Sequence, residues 1–135
     1  MTRSVEVAVP SPMTGLSHVQ LLVADIAASE QWYTIVLGLE RFAADEDKGY
    51  VALRHSPTGV LVVLSARAPG HGAGDTTLDH IAFAVPDGAT LRRWAEHLTD
   101  VGVEHAGIVS ELGKPSLQLR DPDGTAVELV APAEA

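Results

Sequence analysis

The sequence predicts an α+β domain made of two βαβββ modules, and three observations predict it. A stretch of the chain recurs: Leu16–Trp32 lies on Leu78–Trp94 without a gap, and Leu16/Leu78, His18/His80, Val23/Val85, Asp25/Asp87, Ala27/Ala89 and Trp32/Trp94 are identical. Self-similarity of that length, occurring twice, marks two copies of one supersecondary unit rather than a solenoid. The phase then persists: Gly38-Leu39-Glu40 answers Gly102-Val103-Glu104, and Gly59 before Val60–Leu64 answers Gly124 before Thr125–Val130. Finally, 135 residues with 46% hydrophobic and 20% charged side chains suit one globular domain with a real core. Residues 14–65 are the first module and 78–132 the second; 66–77, with Pro69, Gly70, Gly72 and Gly74, reads as a linker. Residues 1–13, with Pro10 and Pro12, read as an extended N-terminal arm.

Each element follows from local pattern. Ser17–Val23 and Asp79–Val85 are apolar, partly β-branched runs, and read as strands. Asp25 and Asp87 stand where a side chain would cap the next helix. Ser29, Trp32, Tyr33, Val36 and Leu37 recur at helical spacing, as do Leu91, Trp94, Ala95 and Leu98. Both tryptophans are thereby assigned to packing, and Gly38 and Gly102 to helix ends. Three short strands close each module: near Glu40–Ala44, Tyr50–Arg54 and Val60–Ser65, then near Glu104–Val109, Ser116–Arg120 and Ala126–Val130. Asp45-Glu46-Asp47-Lys48 reads as an exposed acidic turn, and Asp121-Pro122-Asp123-Gly124 as a tight one.

Composition excludes several functions. Nine Lys+Arg against eighteen Asp+Glu give a net charge of −9, which lacks the basic footprint of a nucleic-acid or anionic-membrane partner. The absence of cysteine excludes disulfides, thiolate metal sites and a cysteine nucleophile. No apolar run suits a membrane span, and Glu6 interrupts the N-terminal apolar stretch, so the expected location is the cytoplasm.

Strand alternation then gathers the polar residues. His18, Gln20 and Leu22 share one face of the first strand, while Val19, Leu21 and Val23 share the other. In the second copy His80, Ala82 and Ala84 oppose Ile81, Phe83 and Val85. The bulky set belongs beneath the helix, so both histidines point away from it. Glu128 sits inside the apolar run Ala126–Ala131, where a lone carboxylate is costly without a partner. With the two modules related by a pseudo-twofold axis, His18, His80 and Glu128 would form a facial triad that leaves metal positions open. Gln20 and Gln118 share the same expected cavity, and His55, His97 and His105 read as solvated.

The L-x-H strand starts (Leu16-Ser17-His18 and Leu78-Asp79-His80) and the closing Arg120-Asp121-Pro122-Asp123-Gly124-Thr125-Ala126-Val127-Glu128-Leu129 resemble the vicinal-oxygen-chelate superfamily. That superfamily includes glyoxalase I, extradiol dioxygenases, methylmalonyl-CoA epimerase, fosfomycin-resistance transferases and bleomycin-binding proteins. The resemblance covers Leu16 to Pro132, and implies a cupped mixed sheet around a central cavity, with His18, His80 and Glu128 as metal ligands. It implies a divalent ion, with Fe(II) or Mn(II) favoured and Zn(II) or Ni(II) as alternatives, and a small substrate with adjacent oxygens. The fourth ligand of glyoxalase I falls here on Val63, which cannot ligate and would instead line the substrate site. A three-ligand set is closer to the dioxygenase or fosfomycin-transferase pattern. The dioxygenases' substrate-contacting Tyr is matched by Gln118, and the histidine nearest to their extra catalytic His is His71. Lys114 and Arg120 are the cations near the fosfomycin enzymes' missing loop. Glu128 and His71 are thus the catalytic candidates, and Gln20, Gln118 and Val63 the substrate-binding ones. A non-catalytic, drug-sequestering protein of the bleomycin-resistance type is the alternative reading. Relatives commonly dimerise, with the site either inside each chain or shared between chains, and the sequence leaves that choice open.

Overall fold

The computed structural model describes residues 16–68 and 78–133. The first module runs β1 (His18–Val23), α1 (Ile26–Leu37), β2 (Glu40–Asp45), β3 (Tyr50–Arg54) and β4 (Leu61–Ala66). The second runs β5 (His80–Ala84), α2 (Gly88–Asp100), β6 (Val109–Glu111), β7 (Lys114–Arg120) and β8 (Ala126–Val130). Each module carries its own mixed four-stranded sheet, ordered β1-β4-β3-β2 and β5-β8-β7-β6. Among the described residues, only the β1–β4 and β5–β8 pairs are parallel. The two βαβββ modules of the expected α+β fold are therefore present.

The helices start and stop where their polar residues and glycines dictate. Asp25 accepts a hydrogen bond from the Ala28 amide at 3.2 Å, and Asp87 from the Thr90 amide at 2.7 Å, so each satisfies a free N–H of a first turn. Gly38 ends α1 at φ 74°, a left-handed conformation that lets its N–H reach the carbonyls of Thr34 and Tyr33. Between the helices and the sheets lies one continuous core. Leu21, Val23, Tyr33, Leu53 and Leu64 enter it from the first module, and Leu91, Leu98, Leu117, Val127 and Leu129 from the second. Both sheets turn their helix-covered faces to this core, so the faces bearing the histidines lie away from it. Among the described residues, no helix is long and apolar enough to cross a membrane.

The expected β6 strand and the three histidines read as solvated need correction. The strand expected over Glu104–Val109 is instead Val109–Glu111. Gly107 adopts φ 84°, incompatible with an extended run, and its amide donates to His105 Nδ1 in a local turn. His97 is half-buried rather than solvated: its Nε2–H donates to the Val36 carbonyl at 2.9 Å and ties α2 to the end of α1. His55 and His105 are also half-buried, with His55 Nδ1 2.7 Å from Thr58 Oγ1 and His105 Nε2 3.2 Å from Thr99 Oγ1. The N-terminal arm, and all of the linker after Ala68, lie outside the described residues, as does His71.

The modules are joined by a turn. Asp121, 5% exposed, accepts hydrogen bonds from the Tyr33 hydroxyl at 2.8 Å and from the amides of Asp123 and Thr125 at 3.0 and 2.8 Å. Burial, followed by the charge of Asp121, pushes the Tyr33 phenol far above its ordinary range, so this proton stays on the oxygen. Asp123 accepts from the Ala24 amide at 2.8 Å and pairs with Arg67 at 3.0 Å. The Asp-Pro-Asp-Gly segment thus turns the chain and also pins the second module to the first.

Candidate metal centre

The register of the second sheet gathers the site. His80 pairs with Ala126 and Ala82 with Glu128 across β5–β8, and Gln118 stands opposite Glu128 across β7–β8. Alternation then gives His80, Gln118 and Glu128 one face. His80 Nε2 lies 3.8 Å from Glu128 Oε2. The other ring nitrogen, Nδ1–H, donates to Asp79 Oδ2 at 2.8 Å, which fixes the tautomer and leaves Nε2 free for a Lewis acid. Gln118 donates from Nε2 to Glu111 Oε2 at 2.8 Å.

The electrostatics of this face favour a cation. Glu128 is only 7% exposed, and burial pushes its carboxyl above the usual carboxylate range. The neighbouring Glu111 carboxyl adds to that rise, while His80 opposes it. His80 is held above the ordinary imidazole value, first by its hydrogen bond to Asp79 and next by the charge of Glu128. Three carboxylates (Asp79, Glu111 and Glu128) thus surround one imidazole. A hard divalent ion would relieve both the repulsion and the desolvation. His80, Gln118 and Glu128 line a solvent-open cavity of about 930 Å³, with Trp32 and Ile35 of α1 on its wall.

The first module contributes differently. His18 opens β1 with Nδ1 3.1 Å from Ser17 Oγ, so its Nε2 is also free. Gln20 donates from Nε2 to Ser65 Oγ at 2.9 Å, and Val63 is the β4 partner of Gln20. These residues share the open face of the first sheet and do not line the cavity of His80. Among the described residues, no group of three or more His, Asp or Glu side chains is placed to hold a metal ion within one chain. His80, Glu128 and Gln118 therefore come together, whereas His18, Gln20 and Val63 stand apart from them. Sequence reasoning missed Glu111 and Asp79. Glu111 fell beyond the misplaced strand, and Asp79 precedes the strand proper, where alternation says nothing of direction. The only signal for Asp79 was its position directly before a candidate ligand.

Comparison with known proteins agrees with this architecture. Residues 15–129 match the Glyoxalase/Bleomycin resistance protein/Dioxygenase superfamily. The chain is 32% identical over 123 residues to biphenyl-2,3-diol 1,2-dioxygenase 3 of Rhodococcus globerulus. That match covers 84% of this chain but only 61% of the longer relative. A glyoxylase/bleomycin resistance protein/dioxygenase domain from Frankia sp. EAN1pec superposes with a TM-score of 0.76 at 25% identity, covering 89% of this chain and 98% of that one. The lactoylglutathione lyase of Agrobacterium tumefaciens shares the fold, with a TM-score of 0.73 at 22% identity over 90% of this chain and 96% of that one.

Proposed function

Because the chain belongs to the Glyoxalase/Bleomycin resistance protein/Dioxygenase superfamily, we propose that it is a divalent-metal-dependent enzyme for a small substrate with two adjacent oxygens, of the ring-cleaving dioxygenase type. The observation that carries this reading is the His80–Glu128 pair: an imidazole with its free Nε2 3.8 Å from a nearly buried carboxylate, inside an open cavity. His80 and Glu128 would hold the ion, with Fe(II) or Mn(II) as the best match for a histidine–carboxylate pair. Bound there, the ion supplies Lewis acidity to a chelating oxygen pair and, if iron, redox chemistry.

The chain's own groups do the rest. Asp79 keeps the proton of His80 on Nδ1. Gln118, with one amide proton committed to Glu111, presents its carbonyl oxygen to a substrate hydroxyl. Trp32 and Ile35 give the cavity an apolar wall against which a substrate ring would pack. The dioxygenase type is favoured by the Rhodococcus relative, whose activity on biphenyl-2,3-diol makes catechols the first substrates to test.

The test is metal-free protein titrated with Fe(II), Mn(II), Ni(II) and Zn(II), then offered biphenyl-2,3-diol and simpler catechols in air. Micromolar binding that Glu128→Ala abolishes, followed by appearance of the yellow ring-cleavage product, is the expected result. Binding of no metal, or equal binding by Glu128→Ala, would sink the proposal. Turnover of hemithioacetals or fosfomycin instead of catechols would keep the metal centre and change the reaction.

A further inference from the structure

We propose that the seam between the modules holds a second binding site, for a small uncharged ring-bearing molecule that carries one hydroxyl. The space is a cavity of about 290 Å³, and no residue that lines it also lines the cavity of His80 and Glu128. Both modules wall it: Val19 and Val60 from the first, Ile81, Phe83 and Trp94 from the second. The site is therefore independent of the metal-dependent reading.

Packing leaves the core unfilled at this place. Leu37, Leu39, Val85 and Leu129 form a floor no more than 8% exposed and belong to the continuous core. Val19, Ile81, Phe83 and Trp94 pack against the same core, yet stay half-buried where they line the cavity. Side chains around a gap forfeit dispersion contacts, and a residual hole costs stability in proportion to its volume. A cavity of about 150 Å³ lined by Leu, Ile and Phe takes benzene. At about 290 Å³ this one suits a bicyclic ring or a ring with a short substituent.

The chemistry of the lining sets the class of ligand. In a chain of net charge −9, no Asp, Glu, Lys or Arg among the described residues lines this cavity, whereas Asp79, Glu104, Arg120 and Glu128 line the other. A charged ligand would lose its hydration here without a counter-charge. His55 and Thr58, on the turn before β4, supply polar side chains to the wall. The turn is fixed by its own bonds: the Gly59 amide donates to the His55 carbonyl at 2.8 Å, and His55 Nδ1 lies 2.7 Å from Thr58 Oγ1. The ring is thus oriented through Nδ1, and Nε2 has no partner among the described residues. A few placed polar groups in an apolar concavity orient a small ligand. Nε2 bonds a hydroxyl in either tautomer, by accepting or by donating.

Indan-2-ol, indane and indane-2-carboxylate are matched probes that present a hydroxyl, a hydrocarbon and an anion. Each is titrated into the full chain and followed by methyl NMR shifts. Indan-2-ol should give saturable shifts at Val19, Val60, Ile81 and Leu129 with a Kd below about 1 mM, and the carboxylate should not saturate. His55→Phe should lower the preference for indan-2-ol over indane about 2- to 10-fold, the worth of one hydrogen bond. Val60→Phe, which fills the space, should abolish binding; Val19→Phe fills it from the other wall should the first variant fail to fold. Absence of saturable shifts in the full chain, as when residues 1–15 or a second copy occupy the cavity, overturns the site. So does unchanged binding in the filled variant that folds. Equal binding of the carboxylate, or an unchanged preference in His55→Phe, overturns the ligand class.

Discussion

The two modules repeat one backbone and spend it differently. Their strands, capping aspartates and histidine-led edges correspond, yet the open face of the second gathers Asp79, Glu111 and Glu128 around His80, while that of the first sets His18 among Ser17, Gln20 and Ser65. The turns before the last strands diverge in the same way. The first, His55 to Gly59, closes on itself, with His55 Nδ1 2.7 Å from Thr58 Oγ1. The second reaches across the molecule to Tyr33, Ala24 and Arg67. A duplicated unit thus repeats its hydrogen-bonded frame and apolar face, while chemistry and module joining reside in the side chains that broke the repeat.

The largest expected effect tests that contrast at the turns. Asp121→Ala strands the buried Tyr33 hydroxyl and two turn amides, and should cost at least about 3 kcal/mol in urea unfolding, at about one or more per orphaned group. Thr58→Ala, in the self-contained turn, should cost under about 1 kcal/mol. Equal losses would mean that the second turn does no more to join the modules than the first. The next effect separates the two histidines. Asp79→Ala should weaken Mn(II) binding roughly 10- to 100-fold, or about 1.4–2.7 kcal/mol, because the ring loses the carboxylate that orients it. Ser17→Ala, which removes only a neutral hydroxyl from beside His18, should weaken it far less. The smallest concerns the hairpins between the second and third strands of each module. In the first module Gly49 takes φ 73° and its amide bonds the Asp45 carbonyl, a conformation that glycine adopts freely. In the second, Leu112 takes φ 52° at a two-residue tip and is 96% exposed. Leu112→Asn should raise stability by about 0.5–1 kcal/mol, seen as a higher urea midpoint, since Asn tolerates left-handed backbone at such turns.

Much of the frame was legible because it is locally determined. Asp25 and Asp87 cap, Gly38 stops α1, and the period-2 alternation correctly gave His18 and Gln20 the opposite face from Leu21 and Val23. The strand at Glu104–Val109 was misplaced because Gly107 turns the chain inside an otherwise extended pattern. Half of the candidate site was legible too. Alternation placed His80, Gln118 and Glu128 on one face, but no periodicity could show that Asp79 turns back onto His80 or that Glu111 reaches Gln118.

The sequence by itself determined a duplicated βαβββ frame and the face of each strand that bears its polar residues, because backbone hydrogen bonding and side-chain alternation act over a few residues. Only the tertiary structure decided how the halves are joined. The Tyr33–Asp121 and Ala24–Asp123 contacts span long stretches of chain, and they set the end of β1, rather than its start, toward His80. Which ligands meet is a property of that packing, and no local pattern encodes it.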